Sequence, residues 1–193
     1  MRGCIRAVNA RDVKILGRGE VHPEGRGAGI SIINSRNIYV EGLITTQCPT
    51  GGSDSVTIRN VKAVSSYGWG DGMNVFASNN VLFDGVFCRN SDDCTTVYAT
   101  RMGFHGGCRN VTMQNSTLWA DVAHPIFIGL HGDVDRNEVM ENLTYRNIDI
   151  LGSSGKCKWI IKAVWLSMQV IIIWSGMYGS RISASRISGK DNW

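Results

Sequence analysis

The sequence predicts an all-β protein, organised as a parallel β-helix of about six to seven coils. Two observations predict this fold class. Gly is abundant, at 23 of 193 residues, and only 19% of residues are charged, which is typical of short strands joined by tight turns and unlike a helical bundle. In addition, a short phrase recurs along the chain: a polar pair, an alternating apolar and polar strand, and a turn that contains Asn or Gly.

The recurring phrase has six clear copies, each with apolar residues at alternate positions, so that each predicts a strand with one apolar face. A spacing of about 25 residues is short for a βαβ unit and suits one coil of a β-helix. A propeller or a sandwich is the structural alternative, but its Asn-Gly hairpin turns are absent from these copies. The equivalent apolar residues of the six copies are Val13, Ile38, Val56, Val81, Val111 and Leu143.

Asn residues occupy the turns of the repeat, as in Arg36-Asn37 and Arg109-Asn110. Asn tolerates the left-handed backbone conformation and can form a hydrogen bond with its own chain. Stacked Asn side chains can also form ladders between successive layers. We therefore expect Asn ladders along the turns.

The repeat divides the chain into two parts. Residues 1–151 are predicted to form the β-helix coils, whereas residues 152–193 form an atypical C-terminal segment, either a degenerate coil or a frayed tail. Within that segment, Trp159 to Tyr178 is strongly apolar but is interrupted by Lys162, Ser167 and Gln169. The uninterrupted stretch is shorter than the roughly 20 residues that span a bilayer, so we expect a buried strand or a frayed end and no membrane segment.

The charge distribution argues against nucleic acid as a partner. The net charge is +4, yet residues 71–150 carry ten acidic and five basic residues, and this is the stretch richest in motifs. A nucleic-acid binder would place basic residues around its working surface. The six Cys residues show no CxxC pair and no zinc-ligand spacing, so we expect no metal site, no cofactor and free thiols, with a Cys88–Cys94 disulfide as the alternative.

The candidate site is acidic. Asp71 lies in Gly70-Asp71-Gly72, and Asp92 and Asp93 follow about one coil later. Stacked strands lie about 4.8 Å apart, so coils in register bring the three carboxyl groups into one cleft. Crowded carboxylates move one another's pKa values apart, which provides the acid and the base that glycoside hydrolysis requires. Because successive strand residues point to opposite faces, Asp92 and Asp93 both reach the cleft only at a bend.

These motifs resemble those of the polygalacturonase-like glycoside hydrolases, a pectin-degrading family with a right-handed parallel β-helix fold. In that family an Asn-Thr-Asp-Gly segment precedes an Asp-Asp-Cys segment by one coil, as Asp71-Gly72 precedes Asp92-Asp93-Cys94 here. The resemblance covers roughly residues 5–150 and identifies the chain as a partial or C-terminally altered member. It implies an inverting hydrolase in which Asp92 is the general acid, and Asp71 and Asp93 hold and activate the water.

The family's third motif, Gly-His-Gly, is matched only at His124, with His105 and His131 as competing positions. Its fourth, Arg-Ile-Lys, is not found; Lys156-Cys157-Lys158 lies near the expected place. The first motif has Trp69-Gly70 where the family has Asn-Thr.

We expect Trp69, Arg101 and His105 to bind a polysaccharide or oligosaccharide substrate, and the protein to be a monomer. The resemblance implies a secreted or periplasmic protein, although no signal peptide opens the chain. The rival functions are a β-helix lyase or epimerase, which would use Ca²⁺ held by the Asp residues, and a non-catalytic glycan-binding or inactive fragment.

Overall fold

A computed structural model of the protein describes residues 3–136, 138–151, 160–162, 167–173 and 187–188. This part of the chain consists of β-strands, connecting turns and one turn of 3-10 helix at Val134–Arg136. In chain order, the strands are β1 (Gly3–Val8), β2 (Arg11–Leu16), β3 (Glu20–Val21), β4 (Ala28–Ile33), β5 (Arg36–Glu41), β6 (Ile44–Thr45), β7 (Cys48–Gly51), β8 (Asp54–Arg59), β9 (Lys62–Ser65), β10 (Met73–Phe76), β11 (Asn79–Asp84), β12 (Phe87–Asn90), β13 (Thr95–Tyr98), β14 (Cys108–Ala120), β15 (Ile126–Gly129), β16 (Val139–Ile150), β17 (Ile160–Lys162), β18 (Ser167–Ile173) and β19 (Ile187–Ser188).

The strands form three parallel ladders that the chain visits in turn. The first ladder has the order β1-β4-β7-β10-β13-β15-β17, the second β2-β5-β8-β11-β14 and the third β3-β6-β9-β12-β14. The second and third ladders meet in β14, which pairs with β11 through its first half and with β12 through its second half. The predicted all-β class with parallel pairing is confirmed.

The register of the second ladder matches the spacing of the sequence repeat. Val13 pairs with Ile38, Ile38 with Val56, and Val56 with Val81. The ladder continues from Val81 to Val111 and from Val111 to Leu143. The six apolar residues identified as equivalent in the sequence therefore lie on adjacent strands in one continuous row.

The apolar faces of the ladders enclose one hydrophobic core. Alternate residues of each strand point into it, so each layer contributes side chains that pack on the layers before and after it. Burial of an aliphatic or aromatic side chain of this size contributes roughly 1.5–3 kcal/mol. The largest fully buried side chains of this core are Tyr145, Phe83, Ile30, Ile32, Ile38, Ile58, Met73, Met113, Leu118, Ile126 and Ile128. Phe76 is also buried, but it packs with Tyr98 and Phe127 in a second cluster.

Asn residues form hydrogen-bonded ladders along the turns, as expected. Asn80, Asn110 and Asn142 have φ angles of 54°, 56° and 54°, in the left-handed region that Asn tolerates better than most residues. The Asn110 amide donates to Asn80 Oδ1 at 2.8 Å, and the Asn142 amide donates to Asn110 Oδ1 at 2.7 Å. A second ladder joins Asn147, Asn115 and Asp84.

The C-terminal segment is described only at its three strands. β17 extends the first ladder beside β15, β18 pairs with β16, and β19 pairs antiparallel with β18. β17 and β18 lie within the apolar stretch 159–178, where a buried strand or a frayed end was expected. Lys156-Cys157-Lys158 lies outside the described residues. Over the described ranges, no helix has the length and apolar character needed to cross a membrane.

Candidate active site

The candidate site lies on the loops that lead from the third ladder to the first. Residues 66–72 connect β9 to β10, residues 91–94 connect β12 to β13, and residues 121–125 connect β14 to β15. The Gly72 N–H donates to the Asp93 carbonyl at 2.8 Å, and the Cys94 N–H donates to the His124 carbonyl at 2.9 Å. Backbone hydrogen bonds thus stack the three loops, which carry Asp71, the Asp92-Asp93 pair and His124. We call Asp71, Asp92 and Asp93 the acidic cluster.

The chain bends where the two adjacent Asp residues occur. Ser91 and Asp92 form this bend between β12 and β13, so the alternation of side chains along a strand does not apply there. The Asp92 side chain turns back on its own backbone, because its Oδ1 accepts a hydrogen bond from the Asp93 N–H at 3.0 Å. The bend that the sequence argument required is therefore present.

Asp93 is buried and is held by His124. Its Oδ1 accepts hydrogen bonds from the His124 backbone N–H and from His124 Nδ1, each at 3.0 Å. Burial raises the pKa of Asp93 and the charge of Asp92 adds to this rise, whereas the His124 hydrogen bonds lower it. Of the three His residues considered from the sequence, His124 is the one in contact with the acidic cluster.

Asp71 is the most strongly perturbed carboxyl group. Burial, followed by the charges of Asp92 and Asp93, raises its pKa to about 7. Two groups lower the pKa: the Asn74 amide, which donates to Asp71 Oδ2 at 3.0 Å, and the positive charge of Arg101. A carboxyl group with this pKa changes its protonation state near neutral pH, as acid–base catalysis requires.

Aromatic side chains line the outer face of the first ladder beside the cluster. The His124 ring stacks on Phe127 with centroids 5.0 Å apart, and Tyr98 meets Phe127 edge-on at 6.0 Å. Tyr98 also contacts His131 at 4.8 Å. Burial and the charge of Arg101 lower the pKa of His131, which favours its neutral form. Burial, with the charges of Asp93 and Asp71, raises the pKa of Tyr98.

The three substrate-binding candidates lie in different surroundings. Trp69 lies two residues before Asp71, and 80% of its surface is exposed. Arg101 is half-buried, and its charge acts on Asp71, Tyr98 and His131. His105 is exposed and lines, with Arg109, Arg136 and Glu138, a surface cavity of about 270 Å³ that no member of the acidic cluster lines. The charge of Arg101 thus acts on the cluster, Trp69 is close to Asp71 along the chain, and His105 lines a different cavity.

Asn74 joins the site without having been predicted, and His131, which the sequence offered only as a competitor of His124, joins it through Tyr98. Asn74 is buried with its amide on Asp71, and its Oδ1 has no hydrogen-bond partner. The available signal was its position three residues after Asp71, on the strand that follows the loop. His131 contacts the site through Tyr98, 33 residues earlier in the chain, and short-range sequence patterns carry no information on such a contact.

No set of three or more His, Cys, Asp or Glu side chains in the described ranges has a geometry suited to a metal ion. The Cys residues described are free thiols, of which Cys48, Cys88, Cys94 and Cys108 are buried. Comparison with known proteins found no matching family model, no matching curated protein and no matching solved structure.

Proposed function

We propose that this chain is a glycoside hydrolase of the polygalacturonase-like type, folded as a right-handed parallel β-helix. It would cleave glycosidic bonds in a pectic polysaccharide with inversion at the anomeric carbon. One observation carries the proposal: hydrogen bonds stack three loops so that Asp71, the Asp92-Asp93 pair and His124 share one site. The repeated visiting order of the three ladders supports the β-helix, because each circuit adds one strand to every ladder.

In this mechanism one carboxyl group of the acidic cluster donates a proton, and another accepts one. The mechanism requires one proton in the cluster, carried by Asp92 when the substrate is bound, and Asp92 donates it to the glycosidic oxygen as the bond from that oxygen to the anomeric carbon breaks. Asp71 and Asp93 hold a water molecule on the opposite face of the sugar, where one carboxylate accepts the water proton as the new carbon–oxygen bond forms. The hydrogen bonds from His124 keep Asp93 oriented toward this water.

Two neighbours of the cluster suit a charged, ring-shaped substrate. Trp69, two residues before Asp71 in the chain, has an exposed aromatic side chain. Arg101 places a positive charge near the same carboxyl group, and a guanidinium forms strong hydrogen bonds with the carboxylate of an acidic sugar. A secreted or periplasmic location and a monomeric state belong to the same proposal.

The test is the release of new reducing ends from a panel of pectic polysaccharides, with ultraviolet absorbance followed in parallel. Reducing ends without an unsaturated product would support a hydrolase. An unsaturated product that disappears with a chelator would instead indicate a calcium-dependent lyase. Oligosaccharide binding without cleavage, by a protein shown to be folded, would indicate a glycan-binding module and contradict the proposal.

A further inference from the structure

A buried asparagine, to which the mechanism above assigns no role, holds the loop that carries Asp71. Asn90 is the last residue of β12 and is fully buried. Its Nδ2 donates to Ser65 Oγ at 2.9 Å and to the Gly70 carbonyl at 3.2 Å. The Ser65 hydroxyl donates to the same Gly70 carbonyl. Two buried donors therefore hold the carbonyl of the residue that directly precedes Asp71.

Two further contacts hold the same loop against the segment 90–93. The Ser91 hydroxyl donates to the Tyr67 carbonyl, and the Gly72 N–H donates to the Asp93 carbonyl at 2.8 Å. Asp71 thus lies between Gly70 and Gly72, both of which are bound to the segment that contains Asp92 and Asp93. The spacing between Asp71 and the other two carboxylates depends on these contacts.

We infer that Asn90 is a positioning residue, whose side-chain amide fixes the Gly70 carbonyl and through it the placement of Asp71 relative to Asp92 and Asp93. This inference rests on the proposed hydrolase function. The placement of Asp71 matters because a displacement of about 1 Å in a reacting group can lower the rate roughly 100-fold. Asn90 Oδ1 is buried without a hydrogen-bond partner, so the two bonds made by Nδ2 are what satisfies this buried amide, and their loss would be unfavourable.

The test compares Asn90→Asp with wild type. Asn90→Asp keeps the shape of the side chain but replaces the Nδ2 donor with an oxygen, which repels the Gly70 carbonyl when ionised. We expect kcat to fall about 10- to 100-fold while KM changes less than about threefold. Amide hydrogen exchange at Gly72 should become faster, because the loop is held less firmly.

Two more variants separate positioning from general stability. Ser91→Ala removes only the hydrogen bond from the Ser91 hydroxyl to the Tyr67 carbonyl. It should also lower kcat and speed amide hydrogen exchange at Gly72, so the inference can still be tested if Asn90→Asp does not fold. Ser35→Ala is the control, since the buried Ser35 hydroxyl donates to the Ile33 carbonyl at 2.8 Å on a turn away from the site. We expect Ser35→Ala to lower stability and leave kcat unchanged.

Wild-type kcat together with slow Gly72 exchange in Asn90→Asp would overturn the inference, as would an equal loss of kcat in Ser35→Ala. A wild-type protein without any activity would overturn the proposed function and the catalytic part of this inference with it. Amide hydrogen exchange at Gly72, compared between Asn90→Asp and wild type, would then show separately whether Asn90 holds the loop that carries Asp71.

Discussion

Asp93 and His124 are joined twice through a single oxygen atom. Asp93 Oδ1 accepts one hydrogen bond from the His124 backbone N–H and another from its Nδ1, each 3.0 Å long. The backbone contact ties the loop 121–125 to the loop 91–94, and the ring contact fixes the carboxylate itself. His124 therefore both supports the stacking of the loops and orients one member of the acidic cluster.

Removal of the His124 ring donor should impair turnover. His124→Phe keeps an aromatic ring to stack on Phe127 but has no Nδ1 to donate to Asp93. Loss of a hydrogen bond to a charged group costs about 1.5–3 kcal/mol, so we expect kcat to fall about 10- to 100-fold. The pKa of Asp93 should rise in the variant, because in the wild type the hydrogen bonds from His124 lower it.

His105→Phe serves as the matched control for this change. His105 is exposed and lines the cavity formed with Arg109, Arg136 and Glu138, so its replacement should leave the rate and its pH dependence unchanged. A loss of rate in His105→Phe, with none in His124→Phe, would reverse the assignment of the site histidine.

The pH dependence of the rate should report the ionisation of Asp71. In the proposed mechanism Asp71, whose pKa is about 7 in the folded protein, must lose its proton before it can accept one from water. We therefore expect kcat/KM to fall as the pH decreases below about 7, instead of near the ordinary range of a carboxyl group. A rate that rises as the pH falls through this range would exchange the roles of Asp71 and Asp92.

Asp71 should also reduce stability at alkaline pH. The unfolded carboxyl ionises near 3.8 and the folded one near 7, so between these values the folded state binds more protons. Stability conferred by the protonated group is complete below about pH 4 and is lost as the pH rises through about 7. We expect Asp71→Asn to be more stable than wild type by about 1–4 kcal/mol at about pH 8, with no gain near pH 3.

Denaturant unfolding of both proteins at the two pH values measures this difference. Equal stability of Asp71→Asn and wild type at about pH 8 would mean that burial and the neighbouring charges do not raise the pKa of Asp71. The same variant should be inactive, so the group that drives the chemistry would also be one that weakens the fold.

The repeat could be predicted from the sequence because its physical cause is local. Val13, Ile38 and Val56 alternate with polar neighbours, and a one-residue slip would turn each apolar set toward solvent, so the pattern defines the register. The meeting of Asp71 with Asp92 and Asp93 followed from the same spacing. Two-residue strands such as β3 and β6 contain too few residues to show a period.

The partners of the cluster were harder to predict. Asn74 reaches Asp71 because β10 begins directly after the Asp71 loop. His131 joins the site because its ring contacts Tyr98, which lies at the end of β13, whereas His131 follows the neighbouring strand β15. Both contacts depend on the completed stack. Asn90 lies two residues before Asp92, but its hydrogen bonds to Ser65 and Gly70 span 25 and 20 residues.

Two glycines on the Asp71 loop should respond differently to the same substitution. A Cβ at Gly72 would lie 2.3 Å from the Cys94 carbonyl oxygen and 2.7 Å from Asn90 Oδ1, whereas a Cβ at Gly68 would meet no atom within 4 Å. We expect Gly72→Ala to destabilise the protein by about 1–3 kcal/mol through overpacking and to lower activity. Gly68→Ala should leave both unchanged, as thermal unfolding and the rate assay would show. Equal tolerance of both changes would mean that the loops are not packed as closely as described.

Release of reducing ends from pectic polysaccharides by wild type and by Asp92→Asn, both shown to be folded, tests the central claim most directly. Asp121→Asn is the control, because Asp121 is exposed on the next loop and pairs with Arg89 at 3.5 Å. The account predicts release by wild type and by Asp121→Asn, and loss of release in Asp92→Asn with the fold intact. Near-wild-type release by Asp92→Asn would contradict the assignment of the acidic cluster as a hydrolytic site.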